Sequence, residues 1–283
     1  MRIGLLHPGS MGVSVGASAI GSGHEVLWAS EGRSAATVER ANKHGLTDAG
    51  GVAEVVGRSE VILSICPPDA AVAVADVVKQ HHFKGTFVDC NAISPMRMKH
   101  IAEHLEPTGV RVVDGGIIGN PAWVPDKTFL YLSGVGSEEV AACFTAGPLV
   151  ARVMAGKPLG DASALKMCYA AYTKGTTALL CAILAAAEEL GVRAELAAQW
   201  EQHDAGFAAQ TEARAQRVTA KAWRFTGEMD EIAATFAAAG LPDGFHRAAA
   251  DIYARLAGFK DQAAPPELAR VLMALVNDDT AAG

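Results

Sequence analysis

The chain has 283 residues, half of them hydrophobic, and a formal net charge of −7, enough for one large or two ordinary globular domains with a sizeable core. The charge is divided among many short positive and negative stretches, which argues against nucleic acid or an anionic membrane as the main partner and leaves room for a small neutral or anionic ligand. Five cysteines, Cys66, Cys90, Cys143, Cys168 and Cys181, form no CxxC pair; four lie in apolar or alanine-rich runs and read as buried thiols in a reducing compartment.

No basic segment followed by a long apolar core and a cleavage site opens the chain, so a cytoplasmic protein is expected. No apolar run reads as long enough to span a bilayer, because the alanine-rich stretch Ala170–Ala187 contains Lys174 and several threonines. Up to about residue 155, short β-branched runs alternate with helix-like segments. The runs are Ile3–Leu6, Glu25–Trp28, Val61–Ile65, Thr86–Val88, Arg111–Val113 and Phe129–Leu132, and Ser34–His44 and Asp69–Gln80 suit crossover helices. Such alternation predicts a mostly parallel sheet covered on both faces. After Gly160 strand-like runs vanish and alanine, leucine and glutamate dominate, which predicts an all-α second domain. Its first helix is expected to run from Asp161 to about Leu190 and to stop at Gly191, and Asn277–Gly283 reads as a frayed tail. The expected division is 1–158 and 159–283.

Within the first turn, RIGLLHPGSMG places Gly9 and Gly12 at the second and third glycine positions of GxGxxG, with His7 at the first. In a dinucleotide-binding turn those two glycines approach the pyrophosphate and pack helix on strand. Pro8, Gly9, Ser10, Met11 and Gly12 are therefore candidate cofactor contacts, with Pro8 fixing the turn that the missing glycine would permit. His7 reads either as a turn histidine at the sheet's edge or as a direct contact. After the second strand, Ser30, Arg33 and Ser34 oppose Glu31; arginine between small hydroxyls suits a ribose 2′-phosphate, which favours NADP without excluding NAD. The bland alternative is a solvated loop with Ser34 as a helix N-cap.

Three later clusters are LSICPP (63–68), VDCNAISP (88–95) and VDGGIIG (113–119). In order and spacing they resemble the β-hydroxyacid dehydrogenase family, which includes 6-phosphogluconate and 3-hydroxyisobutyrate dehydrogenases. A subgroup sharing LLHPGSMG, VDGGIIG and the Gly227–Ala233 segment is closer still. The resemblance implies a Rossmann-type, doubly wound N-terminal domain followed by a helical C-terminal domain that pairs two copies as a homodimer. It places Cys66, Pro67, Pro68 and Asn91 against the cofactor, and Asn91, Gly115, Gly116, Ile118 and Gly119 at the substrate. Ile118 and Asn120 stand where the family has serine and glycine, which suggests a less polar or bulkier substrate than a short hydroxyacid.

The family's catalytic G-x-G-x-x-x-K motif corresponds to Gly160–Lys166, with Ala162 for the second glycine and Tyr169 in the place of a following asparagine. By this resemblance Lys166 is the catalytic residue and Tyr169 a substrate contact. Hydride transfer at an alcohol carbon requires a proton to move on or off the oxygen, and a lysine among apolar groups can exchange one. At helical spacing Lys166, Tyr169, Thr173 and Thr176 share a face. Trp223 and Phe245 read as packing residues, His246 as a surface or capping residue, and Glu228 is given no catalytic role. No histidine falls in a ligand pattern such as HExxH, so no metal is expected.

These features predict an NADP-dependent oxidoreductase acting on a small hydroxy compound or its carbonyl partner. The alternatives are an imine reductase, whose relatives commonly lack the lysine, and a non-catalytic NADPH-binding protein.

Overall fold

The computed structural model describes residues 1–260, 262 and 264–277, so the expected tail lies, beyond Asn277, outside the described residues. Two compact units divide between Met167 and Cys168.

The first unit is an eight-stranded sheet in the order β3-β2-β1-β4-β5-β6-β7-β8. The strands are β1 (Arg2–Leu5), β2 (Glu25–Trp28), β3 (Thr47–Asp48), β4 (Val61–Ser64), β5 (Thr86–Asp89), β6 (Arg111–Ile118), β7 (Thr128–Ser133) and β8 (Leu149–Val153). The first six run parallel, β7 is antiparallel to β6, and β8 follows β7 in parallel. Helices α1 (Ser10–Gly21), α2 (Ala35–Lys43), α3 (Val52–Arg58), α4 (Ala71–Gln80) and α5 (Pro95–Leu105) make the crossovers, and α6 (Ser137–Ala141) precedes β8. The strand period of two sorts neighbouring residues onto opposite faces. Ile3, Leu5, Val61, Leu63, Val88 and Val113 join one buried cluster, while Leu6, Ile62, Phe87 and Val112 join the other. Both faces are thus covered, as a parallel sheet demands.

Several elements differ from the sequence expectation. β3 is two residues long and α3 seven, too short to leave a periodic pattern, and β8 is partly exposed along its length, so alternation is weak there. β6 continues through Gly115 and Gly116, which read as a loop in sequence. β1 lies between β2 and β4, so His7 follows a central strand and not a strand at the side of the sheet, and it sits where the parallel strands end. Cys168 is exposed and Cys66 partly so, unlike the three buried thiols; Cys168 and its neighbour Tyr169 lie on the exposed side of an alanine-rich helix.

A helical run begins with α7 (Asp161–Ala170), passes through a π-helical turn at Ala171–Gly175 and continues as α8 (Thr176–Glu189). It ends at Gly191, whose φ of +70° suits the glycine. This run of 29 residues is, by length and composition, apolar enough to cross a membrane, which corrects the expectation that none is. Core helices meet the same criterion, and Ala162, Met167, Ala178, Cys181 and Leu184 are buried within the protein.

The second unit adds α9 (Arg193–His203), the long α10 (Phe207–Ala238), α11 (Gly244–Arg255) and α12 (Leu268–Val276). Its π turn widens the helix and frees carbonyls for other donors. Arg214 donates to Thr173 O at 2.8 Å, and Tyr253 donates its hydroxyl to Lys174 O at 2.7 Å. Lys174 pairs with the buried Glu228 at 2.8 Å, so Glu228 secures this turn. His246 is a correction: it is buried, with its ring centroid 4.2 Å from that of Phe236, because its helix turns it inward. Trp223 and Phe245 remain partly exposed, and Lys260 lies 4.1 Å from the Trp223 ring, so each packs on one side only.

Candidate dinucleotide and proton-transfer site

Parallel strands deliver their following loops to one edge of the sheet, where ligands of open α/β sheets bind. The ends of β1, β4, β5 and β6 bring His7–Gly12, Cys66–Pro68, Asn91 and Ile118–Gly119 to that edge.

The glycine loop has the form a pyrophosphate needs. Gly9 is the N-cap of α1 and no side chain caps that helix, so its first N–H groups lack intrahelical partners and point out from a positive dipole end. A Cβ at Gly9 would meet nothing within 4 Å, whereas one at Gly12 would collide with the carbonyl oxygen of His7. Gly12 is therefore required for helix-on-strand packing and Gly9 leaves the approach open. Pro8 is buried, and its carbonyl accepts from Arg40 at 3.3 Å, a contact without a signal in the sequence.

In the segment after β2, Arg33 donates to Leu6 O at 3.1 Å. Ser34 caps α2, accepting from Thr37 N at 3.4 Å, which is the bland reading of that serine realised. Ser30 hydrogen-bonds the Asp48 carboxylate.

Asn91 departs from expectation. Its side chain is buried and fully engaged: Oδ1 accepts from Cys66 N at 2.6 Å, while Nδ2 donates to Ser64 Oγ at 3.0 Å and Asp89 Oδ2 at 2.8 Å. It ties the loop after β4 to the end of β5 and so sets the position of Cys66 and Pro67. Burial first, and the Asp89 charge second, push the Cys66 thiol up to about 12, which keeps it inert. Gly115 and Gly116 are likewise buried and not open to substrate. A Cβ at Gly116 would lie 2.5 Å from Ala162 O, so this glycine exists to let α7 sit on β6.

Asp114 is an organising residue that the sequence alone does not reveal. Register pairs it with Ser133 across β6 and β7, and Ser133 Oγ donates to its Oδ2 at 3.0 Å. The same oxygen accepts from Gly160 N at 3.0 Å and Ser163 N at 2.9 Å, and Ser163 Oγ donates to Oδ1 at 2.6 Å. A buried carboxylate thus caps α7 from the neighbouring strand, where it satisfies orphan N–H groups and meets the helix dipole. Asp114 also explains why the first unit reaches past residue 158: the opening turns of α7 are bonded to the sheet. From that seat Lys166 donates through Nζ to the carbonyl of Ile117, beside the half-buried Ile118. Tyr169 lies in the second unit and is exposed. Among the described residues no three His, Cys, Asp or Glu side chains group to hold a metal.

The buried Asp89 and the partly buried His7 give opposite pH signatures. Burial raises Asp89 to about 7, so the folded state holds a proton that the unfolded state releases near pH 4, and stability falls as pH rises between those values. Burial, then the Arg33 charge, lowers His7 to about 4, so its contribution rises with pH up to about 6.5. Relative to wild type, Asp89→Asn is expected to make apo-protein stability rise with pH across that window and His7→Phe to make it fall. Each slope approaches about 1.4 kcal/mol per pH unit at most. Denaturant titrations at pH 4.5 to 7 measure both, and slopes of the same sign in the two variants would contradict the assignment.

This sheet, with its helix N-terminus at a glycine turn, defines a dinucleotide-binding α/β protein. Residues 2–149 match the family described as the NAD binding domain of 6-phosphogluconate dehydrogenase, and the chain belongs to that family. Residues 187–256 match a domain family of unknown function, DUF1932. An uncharacterised 28.5 kDa protein of Methanothermus fervidus is 29% identical over 174 residues, covering 61% of this chain and 65% of that protein. Among solved structures, a conserved protein of unknown function, described as structurally similar to 3-hydroxyacid dehydrogenases, aligns with a TM-score of 0.64 and 27% identity over 92% of this chain and 98% of its own. The 3-hydroxyisobutyrate dehydrogenase of Mycobacterium tuberculosis, solved with L-serine, aligns with a TM-score of 0.69 and 19% identity over 98% and 99%; that likeness is one of fold.

Proposed function

We propose that the chain is an NADP-dependent oxidoreductase that interconverts a small hydroxy compound and its carbonyl partner. The observation that carries this reading is the Asp114-capped helix α7, which holds Lys166 at the Ile117 carbonyl near the end of β6, on the sheet edge where the glycine loop lies. A bound nicotinamide supplies or accepts hydride. Lys166 Nζ then gives a proton to, or takes one from, the substrate oxygen, leaving the Ile117 carbonyl as the group that orients it. Gly9 and the start of α1 hold the pyrophosphate, and Asn91 sets the loop of Cys66–Pro68 beside it. Ile118, where relatives carry serine, favours an apolar substituent on the substrate. Retention of the lysine supports chemistry at oxygen over reduction of an iminium, which already carries its proton.

Arg33, beside Ser30 and Ser34, supports NADP over NAD, because a 2′-phosphate pairs with a guanidinium. Arg33→Ala is expected to lower the preference for NADPH over NADH by at least about tenfold, on the scale of one charge-assisted hydrogen bond. The ratio of kcat/KM values measures it, and an unchanged ratio would remove Arg33 from the 2′-phosphate site. Exposed Leu179, Leu190 and Met273 on the second unit support pairing of two copies through the helical domain.

A further inference from the structure

Two buried polar atoms of the first unit, His7 Nδ1 and Arg33 Nε, have no hydrogen-bond partner among the described residues. Their side chains line one hollow of about 180 Å³ whose other walls include Leu6, Val52, Ala70 and Val74. Buried polar atoms are normally paired, so unpaired ones facing a common hollow point to a ligand that completes them. The walls are aliphatic and the guanidinium of Arg33 is pinned through Leu6 O, which suits a flat ring with apolar faces that a guanidinium can cover. His7 is held neutral by burial and by Arg33, down to about 4, so its ring offers one N–H and one lone pair. A phosphate would find only one donor on it. Only one ring nitrogen, Nδ1, is buried and unpaired, so the ring makes one hydrogen bond there; the amino group on a purine edge can donate to its lone pair, which a phosphate cannot.

We propose that His7 is a base-specificity residue, its imidazole hydrogen-bonding the edge of the adenine of the dinucleotide held by the Gly9–Gly12 loop. The proposal rests on the dinucleotide reading above and deepens it. The glycine that usually opens such a loop has no side chain to reach the base; here its replacement supplies the contact.

The test compares equilibrium binding of NADPH with that of its hypoxanthine analogue, in which a ring carbonyl replaces the adenine amino group. Wild type is expected to bind NADPH about tenfold more tightly, the scale of one hydrogen bond. His7→Phe, which keeps a ring and removes both nitrogens, is expected to abolish that preference, and His7→Asn to retain part of it. Equal binding of the two by wild type, a measurement that needs no variant to fold, would overturn the proposal. An undiminished preference in His7→Phe, or equal weakening of both ligands, would do the same, the latter assigning the ring to ribose or phosphate. If wild type bound neither dinucleotide, the cofactor reading itself would fall and this proposal with it.

Discussion

Replacing Lys166 by methionine is expected to lower kcat/KM by at least about a hundredfold while leaving NADPH affinity unchanged, the scale of losing a general acid or base. Methionine keeps the stem that packs beside Gly116 and removes the group that donates to Ile117 O. Lys166→Arg separates two explanations. Arginine retains the charge and can donate to the carbonyl, yet it does not release a proton in this pH range. Activity should therefore fall nearly as far in Lys166→Arg as in Lys166→Met. If arginine preserved turnover, Lys166 would act as a fixed positive charge and not as a proton carrier. Steady-state kinetics with a parallel binding titration decide between these outcomes.

Asp114→Ala is expected to be the most damaging change to the fold of the first unit. The carboxylate accepts from Ser133, from Ser163 twice and from Gly160, and its loss leaves buried donors without partners at the start of α7. Breaking such a buried arrangement costs about 3 kcal/mol or more, roughly a 10 °C fall in melting temperature for a unit of this size. Activity measured well below the melting transition should also fall, because the cap sets the height of Lys166 over Ile117. Asp114→Asn keeps one acceptor and should recover part of both losses. Thermal unfolding followed by circular dichroism, with kinetics on the folded fraction, measures the pair. An Asp114→Ala protein with wild-type stability would show that α7 is seated by packing alone.

These two residues illustrate how much of the site is legible in sequence. Lys166 stands out because a motif and a domain transition converge on it. Asp114 reads only as one letter of the VDGGIIG cluster, since its function depends on Ser133 arriving opposite through an antiparallel β7 and on α7 starting at the same level. Neither relation leaves a local signature. The position of Asn91 after β5 is legible and its role is not, because nothing local announces that Ser64, Cys66 and Asp89 take up its whole amide. Gly115 and Gly116 read as a substrate loop by the family resemblance of their segment, whereas here they let a helix and a thiol come close to a continuing strand.

The fold is more legible than the site. Each parallel strand from β1 to β6, apart from the short β3, is a compact β-branched run, because a strand buried on both faces needs continuous apolar residues. The π turn at Ala171–Gly175 has no such trace. It is stabilised by Arg214 and Tyr253 from helices distant in sequence, so an alanine-rich segment reads as one unbroken helix until those partners are in place.

The most direct measurement of the central claim is NADPH oxidation at 340 nm with the full chain, run against a panel of small 3-oxo acids, simple ketones and aldehydes, and cyclic imines. The account predicts turnover of at least one carbonyl compound, lost on Lys166→Met, with the corresponding hydroxy compound reducing NADP in the reverse direction. Turnover of imines alone, or carbonyl turnover that survives Lys166→Met, would contradict it.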